Sequence, residues 1–287
     1  MSISPIVMQQ VSTAAEIRQL AETWQRERRR VALVPTQGAL HAGQAALIGA
    51  ALGKADIVVV SIFVNPLQFS PSDLLTRYPR NIGEDLKLCE TCGAHVVFTP
   101  AEEEMYPQGY STYISEERVS RPLDGVSRPQ HFRGVATAMA RLLNLVHPHI
   151  MFFGQKAAQR VAVIRKMTQD LGWEVAIEVV PTVRESDGLA AGVPNRHFTS
   201  LQRQDALAIF TALTRAKSMS ESGVRSTDRV VAEVTHILGE HRRIRVIYVS
   251  IVDPDTMEAQ REVMPGKSLL AIAVWVDEIR LIDNVML

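Results

Sequence analysis

Three places in this 287-residue chain follow one pattern: an apolar run stops, and side chains able to hold an anion or a hydroxyl follow at once. After residues 31–34 come Thr36, Gln37 and His41. After residues 57–64 come Asn65 and Gln68, and after residues 150–153 come Gln155, Lys156 and Gln159. A histidine or lysine alone at such a place is usually an ordinary surface residue. Three loops that agree make a small-molecule site the better reading. The first is the richest. Its residues 31–47, VALVPTQGALHAGQAAL, pass from an apolar run through Pro35 and Thr36, then through two glycines with His41 between them, into a helical pattern. A buried strand that ends in a glycine-rich turn and feeds a helix presents backbone N–H groups to an anion, as nucleotide sites in α/β folds do.

The elements that must position these loops are legible as periodicities. Residues 12–29 carry Ser12 or Thr13 as a cap, apolar residues at helical spacing and a basic end, which predicts an amphipathic helix. Residues 31–34, 57–64, 95–98, 150–153 and 174–180 predict five strands, of which 57–64, IVVVSIFV, is the continuous β-branched run of a strand buried on both faces of a parallel sheet. Helical patterns over 42–53, 81–92, 130–146 and 157–171 lie between them. Alternating strands and helices with short links predict a doubly wound layer, whose ligand crevice lies at the carboxyl ends of the strands. After Pro181 the rhythm changes. Helices are expected over 201–222 and 227–241 and strands over 246–251, 268–276 and 278–282, a smaller α+β domain, with the boundary near 184. The expected domains are therefore residues 1–184 and 185–287.

Bulk composition excludes several function classes. Lys plus Arg and Asp plus Glu are 31 each, so no charge imbalance favours nucleic acid or an acidic membrane. No apolar run approaches the roughly 20 residues of a membrane span, and MSISPIVMQQ lacks the basic start and apolar core of a secretory signal. The cysteines are Cys89 and Cys92, spaced C-x-x-C inside a helical pattern. A metal half-site would need further ligands and no second pair exists, so the structural reading is favoured. A reducing cytoplasm is the expected compartment.

The resemblance to a known family rests on many segments in order. They are Val-Pro-Thr-x-Gly-x-Leu-His-x-Gly at 34–43, SIFVNPLQF at 61–69, RYPR at 77–80 and FTPAEEEMYP at 98–107. SRPQHFRGV at 127–135, FGQK at 153–156, VPTVRESDGLA at 180–190 and RLIDN at 280–284 complete the set. Together they resemble pantothenate synthetases over essentially the whole chain. The resemblance implies a Rossmann-like parallel-sheet domain of the nucleotidyltransferase superfamily marked by a His-x-Gly-His motif, with a smaller C-terminal α+β domain. It implies an amide-forming acid–amine ligase. ATP adenylates pantoate, β-alanine attacks the acyl adenylate, and AMP leaves. Such an enzyme must neutralise phosphate charge and keep water from the activated acid.

Carried over residue by residue, the resemblance makes His41 and Lys156 the phosphate-contacting catalytic groups. Asn65, Gln68, Tyr78, Arg128, His131 and Arg160 fall at substrate-binding positions. Pro35, Thr36, Gln37, Gly38, Gly43, Gln44, Gly154, Thr182, Val183, Asn195 and Arg196 fall at nucleotide-binding ones. Asp85 matches an acidic position near magnesium. ATP, magnesium, a small carboxylic acid and an amine are thus the implied ligands, and a homodimer the implied assembly.

The sequence also departs from that family's pattern. Gln44 stands for the second histidine, Gln37 for a methionine, Ala157 for an aspartate and Arg160 for a glutamine. Gly192, Val193 and Pro194 stand for Ser-Ser-Arg. Glutamine can hydrogen-bond a phosphate but carries no charge, and Arg160 adds a forked cation where the acid is expected. Two further readings therefore stand beside the ligase. One is a homologue that has given up adenylation and acts on a more anionic acid by other chemistry. The other is a non-catalytic binding protein.

Overall fold

The computed structural model describes residues 8–68 and 79–287. Its larger layer is a parallel sheet of β1 (Gln9–Val11), β2 (Val31–Thr36), β3 (Ile57–Ile62), β4 (Val96–Phe98), β5 (Ile150–Gly154) and β6 (Ala176–Val180), in the order β1-β4-β3-β2-β5-β6. All its pairings are parallel. Between the strands run α1 (Ala14–Arg26), α2 (Ala42–Leu52), α3 (Ile82–Cys92), α4 (His131–Val146) and α5 (Ala158–Asp170). Five strands are legible as apolar runs. The sixth, β1, has only three residues, of which Val11 alone is buried, too few for a period to register.

The helix ends follow local chemistry. Thr13 caps α1 in a capping box with Glu16. Asn81 caps α3, and Gly93 closes it in the left-handed conformation, φ 85°. Apolar side chains of β2 and β3 alternate between two cores. Val31, Leu33 and Val59 face the core under α1, α4 and α5. Ala32, Val34, Val58 and Val60 face the core under α2 and α3. Sheet order reverses at β2, which has β3 on one side and β5 on the other. That is the switch point where a crevice opens. β2 runs two residues past its expected end, through Pro35. Its register with β5 stops at Leu33↔Met151, so conditions that tolerate proline begin before Pro35.

The second unit packs α6 (Ser200–Glu221) and α7 (Thr227–Gly239) on an antiparallel sheet of β7 (Ile244–Val252), β8 (Leu269–Val276) and β9 (Ile279–Met286). It has its own core, with Ala212, Leu213, Val230, Val234, Ile272 and Val274 at its centre. Cys89 and Cys92 are free thiols on α3, and burial pushes Cys89 up to about 12. A thiol so rarely ionised is inert, in keeping with a structural role. Among the described residues no helix is long and apolar enough to cross a membrane.

Candidate active site

β2, β3 and β5 carry their polar loops to one end of the sheet. A cavity opens there, lined on one side by Gln37, Asn65 and Gln68 and on another by Val135, Met139, Leu142 and Phe153. Pro35, Thr36 and Arg160 complete the wall. The apolar side comes from α4, which can sit close because Gly134 has no side chain. A Cβ there would lie 2.2 Å from the carbonyl oxygen of Leu67. Gln37 Nε2 donates to Gln68 Oε1 across the cavity. The Gln68 carbonyl accepts from Arg128 Nη2 at 3.1 Å and lies 3.2 Å from His131 Nδ1. His131 is buried, and burial beside Arg128 and Arg160 holds it down at about 3, so it is neutral near pH 7.

Two of the expected site residues already have partners within the protein. Asn65 lines the cavity, and its amide is held by the protein at both ends. Nδ2 donates to Gly134 O at 2.9 Å, and Oδ1 accepts from Leu67 N at 3.2 Å and from Tyr106 Oη at 2.9 Å. These bonds fix its orientation in the wall and leave its second Nδ2–H unassigned among the described residues. Asp85, expected near a metal, is buried with both oxygens taken. Ala39 N donates to Oδ2 at 2.9 Å and Leu40 N to Oδ1 at 2.7 Å. It clamps the turn after β2, where Gly38 has φ +83° and would bring a Cβ to 3.0 Å from Asp85 Oδ2. Among the described residues no group of three or more His, Cys, Asp or Glu is placed to hold a metal, so they build no protein cage for magnesium. Tyr78 lies outside the described residues.

Beside the cavity the first turn of α2 faces the same crevice. His41 is its N-cap: Nδ1 accepts from Gly43 N at 3.1 Å, and Gln44 Oε1 accepts from His41 N at 3.1 Å. Gln44 thus completes a capping box, which accounts for a glutamine at this position. Because Nδ1 is an acceptor, the ring proton is on Nε2. Burial, aided by Lys156 and Arg196, pushes His41 down to about 4. It is therefore neutral near pH 7.

Positive charge comes from elsewhere. Lys156 follows β5 in the turn Gln155–Ala157, and its Nζ lies 3.4 Å from Ala191 O. Gly192 leaves room beside the ammonium, since a Cβ there would meet Nζ at 3.0 Å. Burial lowers the pKa of Lys156, and Asp283 opposes that shift. Arg196 Nη2 donates to Leu40 O at 3.1 Å, so the turn Val193–His197 reaches across to the loop before α2. Thr182 Oγ1 and Asn195 Oδ1 are buried without a hydrogen-bond partner among the described residues, so each is a polar atom a ligand could satisfy. Asn195 Nδ2 is held by Glu185 Oε1 at 2.6 Å and Ala190 O at 3.0 Å. Val183 O accepts from Ala191 N at 2.9 Å. Gly154 ends β5 directly before the lysine turn.

Sequence reasoning missed Asp124. It is buried and accepts from Tyr248 Oη at 2.8 Å and from Arg280 Nη2 at 2.8 Å, while its N–H donates to Gln159 Oε1 at 3.1 Å. It joins the turn before Arg128 to β7 and β9. Only RLIDN signalled it from a distance.

The parallel sheet with its switch-point cavity is that of a Rossmann-like enzyme. The family model described as pantoate-beta-alanine ligase matches residues 9–286. A pantothenate synthetase of Thermotoga neapolitana is 40% identical over 280 residues, spanning 98% of this chain and 100% of that protein. One of Geobacter sulfurreducens is 42% identical over 280 residues, 98% and 99% of the two chains. The crystal structure of pantothenate synthetase from Thermus thermophilus superposes with TM-score 0.92 at 37% identity, covering 97% of this chain and 99% of that one. The pantoate-beta-alanine ligase of Francisella tularensis, complexed with beta-gamma ATP and beta-alanine, superposes with TM-score 0.80 at 27% identity over 98% of each chain. The chain belongs to the pantoate-beta-alanine ligase family.

Proposed function

We infer that this protein condenses pantoate with β-alanine at the expense of ATP, through an acyl adenylate. The observation that carries the reading is the contiguity of two sites at the ends of β2, β3 and β5. One has an apolar wall and an amide wall, and the other an imidazole N–H, an ammonium and a helix N-terminus. The apolar wall suits a branched hydrocarbon body, and Gln37 and Gln68 suit its hydroxyls. In the first step a pantoate carboxylate oxygen forms a bond to the α-phosphorus of ATP as the bond to the pyrophosphate oxygen breaks. Lys156 and His41 Nε2–H meet the charge that gathers on phosphate oxygens. In the second step the β-alanine amine attacks the acyl carbon, loses a proton, and AMP departs with the C–O bond electrons.

Arg196 supplies the guanidinium that Pro194 does not. Thr182, Val183 and Asn195 line the nucleotide side, and Asp85 holds the turn of Gly38 rather than a metal. Magnesium is brought by the nucleotide's phosphates, its usual mode. Identity across the full chain length favours this ligase over a homologue without adenylation. The division near residue 184 is supported by a separate second core that begins at Leu189. Family membership also supports a cytoplasmic homodimer, which sedimentation equilibrium tests.

The deciding assay supplies ATP, magnesium, pantoate and β-alanine and follows AMP and pantothenate. Product formation is expected, with pantoate-dependent exchange of pyrophosphate into ATP. Lys156→Ala is expected to lower the rate by about 1,000-fold. Absence of both turnover and calorimetric ATP binding in the wild type would sink the reading.

A further inference from the structure

The segment RLIDN on β9 contributes no group to either step above. Two of its side chains nevertheless end on the loop that carries Lys156 and on the turn that faces it. Asn284 is buried. Its Nδ2 donates to Gln155 O at 3.0 Å and to Lys156 O at 3.2 Å, and its Oδ1 accepts from Gln155 Nε2 at 3.0 Å. Only a carboxamide can donate to two carbonyls while accepting from an amide. The loop needs that hold, since Gln155–Ala157 is a single 3-10 turn with no side-chain cap of its own.

Asp283, also buried, accepts from Arg184 Nη1 at 2.7 Å, from Arg184 Nη2 at 3.2 Å and from Asn284 N at 2.8 Å. Arg184 Nη1 in turn donates to Gly188 O at 3.1 Å, and Arg184 bridges Ala190. The carbonyl of Ala191 that receives Lys156 Nζ is the next residue. β9 therefore fixes the backbone from which Lys156 departs and the turn at which its ammonium arrives.

We propose that Asn284 and Asp283 are positioning residues for Lys156: Asn284 fixes its backbone, and Asp283, paired with Arg184, anchors the facing turn at which its ammonium arrives. The charged and titratable groups facing Lys156 are Asp283 from β9, Arg184 and Glu185 from the segment after β6, and His41 at the start of α2. Asp283 and Glu185 favour the ammonium, Arg184 opposes it, and His41 is neutral. Removing the Asp283 carboxylate lowers the pKa of Lys156.

The kinetic arm rests on the ligase reading; a labelling arm does not. Competitive acetylation of the nucleotide-free full chain, read by mass spectrometry across pH, gives the titration midpoint of Lys156. Asp283→Asn keeps an acceptor for Arg184 and is expected to move that midpoint down by about one pH unit. An unmoved midpoint overturns the charge role. Asn284→Ala is expected to lower kcat about 100-fold while the KM values for pantoate and β-alanine stay within about twofold. Asn284→Ser, which retains one donor, recovers part of the loss and covers the case in which the alanine variant does not fold. A lower melting temperature with kcat and the Lys156 midpoint both intact would mean that β9 is merely structural, and the proposal fails. A wild type without product overturns the ligase reading instead, and the acetylation midpoint still decides the role of Asp283.

Discussion

His41 does two jobs with one ring. Its Nδ1 caps α2, and under the proposed function its Nε2–H meets phosphate, so the two functions separate by mutation. His41→Asn keeps a capping acceptor and the fold's stability but not the reach of the imidazole. His41→Ala loses the cap as well, about 1 kcal/mol. Calorimetric melting should rank wild type and the Asn variant above the Ala variant, while AMP release falls in both variants. The low pKa values have a sign that can be checked. An unfolded histidine titrates near 6.5, and folded His41 and His131 near 4 and 3. The unfolded chain therefore binds more protons between those limits, and stability is lost as pH falls from 6.5 toward 3. Melting temperature against pH should slope across that window, and His131→Gln should flatten it. The identity of these polar residues was legible in the sequence, but their occupancy was not. Asn65 and Asp85 read as ligands because their side chains suit ligands. Which backbone N–H or carbonyl has already claimed them depends on contacts 46 and 69 residues away in the chain.

Among the elements, α4 shows how a helix can be set by one missing methyl. Gly134→Ala would drive a Cβ into the Leu67 carbonyl and push apart the helix and the Pro66–Gln68 turn. A cost of about 2 kcal/mol follows from such overpacking, together with a raised KM for pantoate, since Gln68 sits on that turn. Thermal melting and initial-rate kinetics measure both, and unchanged values in each would contradict the close approach. Periodicity disclosed this helix but not its neighbour, because nothing in SRPQHFRGV states which turn the glycine meets. Strands β2 to β6 were legible for a related reason. Burial on both faces makes the residues of β2 to β5 mostly apolar, whatever they pack against, while the edge strand β6 is only partly buried and carries Glu178.

At the scale of the whole molecule, the two units meet through buried polar contacts. Arg280 and Tyr248 of the small sheet hold Asp124 beside the Arg128 turn, and Asn284 and Asp283 hold the opposite side. Asp124→Asn would leave the half-buried Arg280 with its charge uncompensated, at roughly 3 kcal/mol. A melting curve should show the loss, and Arg280→Met in the same chain should restore part of it. The succession of an α/β layer and an α+β unit could be read from the changing rhythm of the chain. The bonds joining them could not, since each is a single pair far apart in sequence. The three-residue strand β1 carries a consequence of its own. It lies outside β4, although β2 and β3 separate the two along the chain. A polypeptide emerging from a ribosome displays Gln9–Val11 long before the groove that receives it exists. Until β4 is made those residues have no partner in the sheet, and a nascent chain paused in that interval offers their unpaired N–H and C=O groups to any other strand.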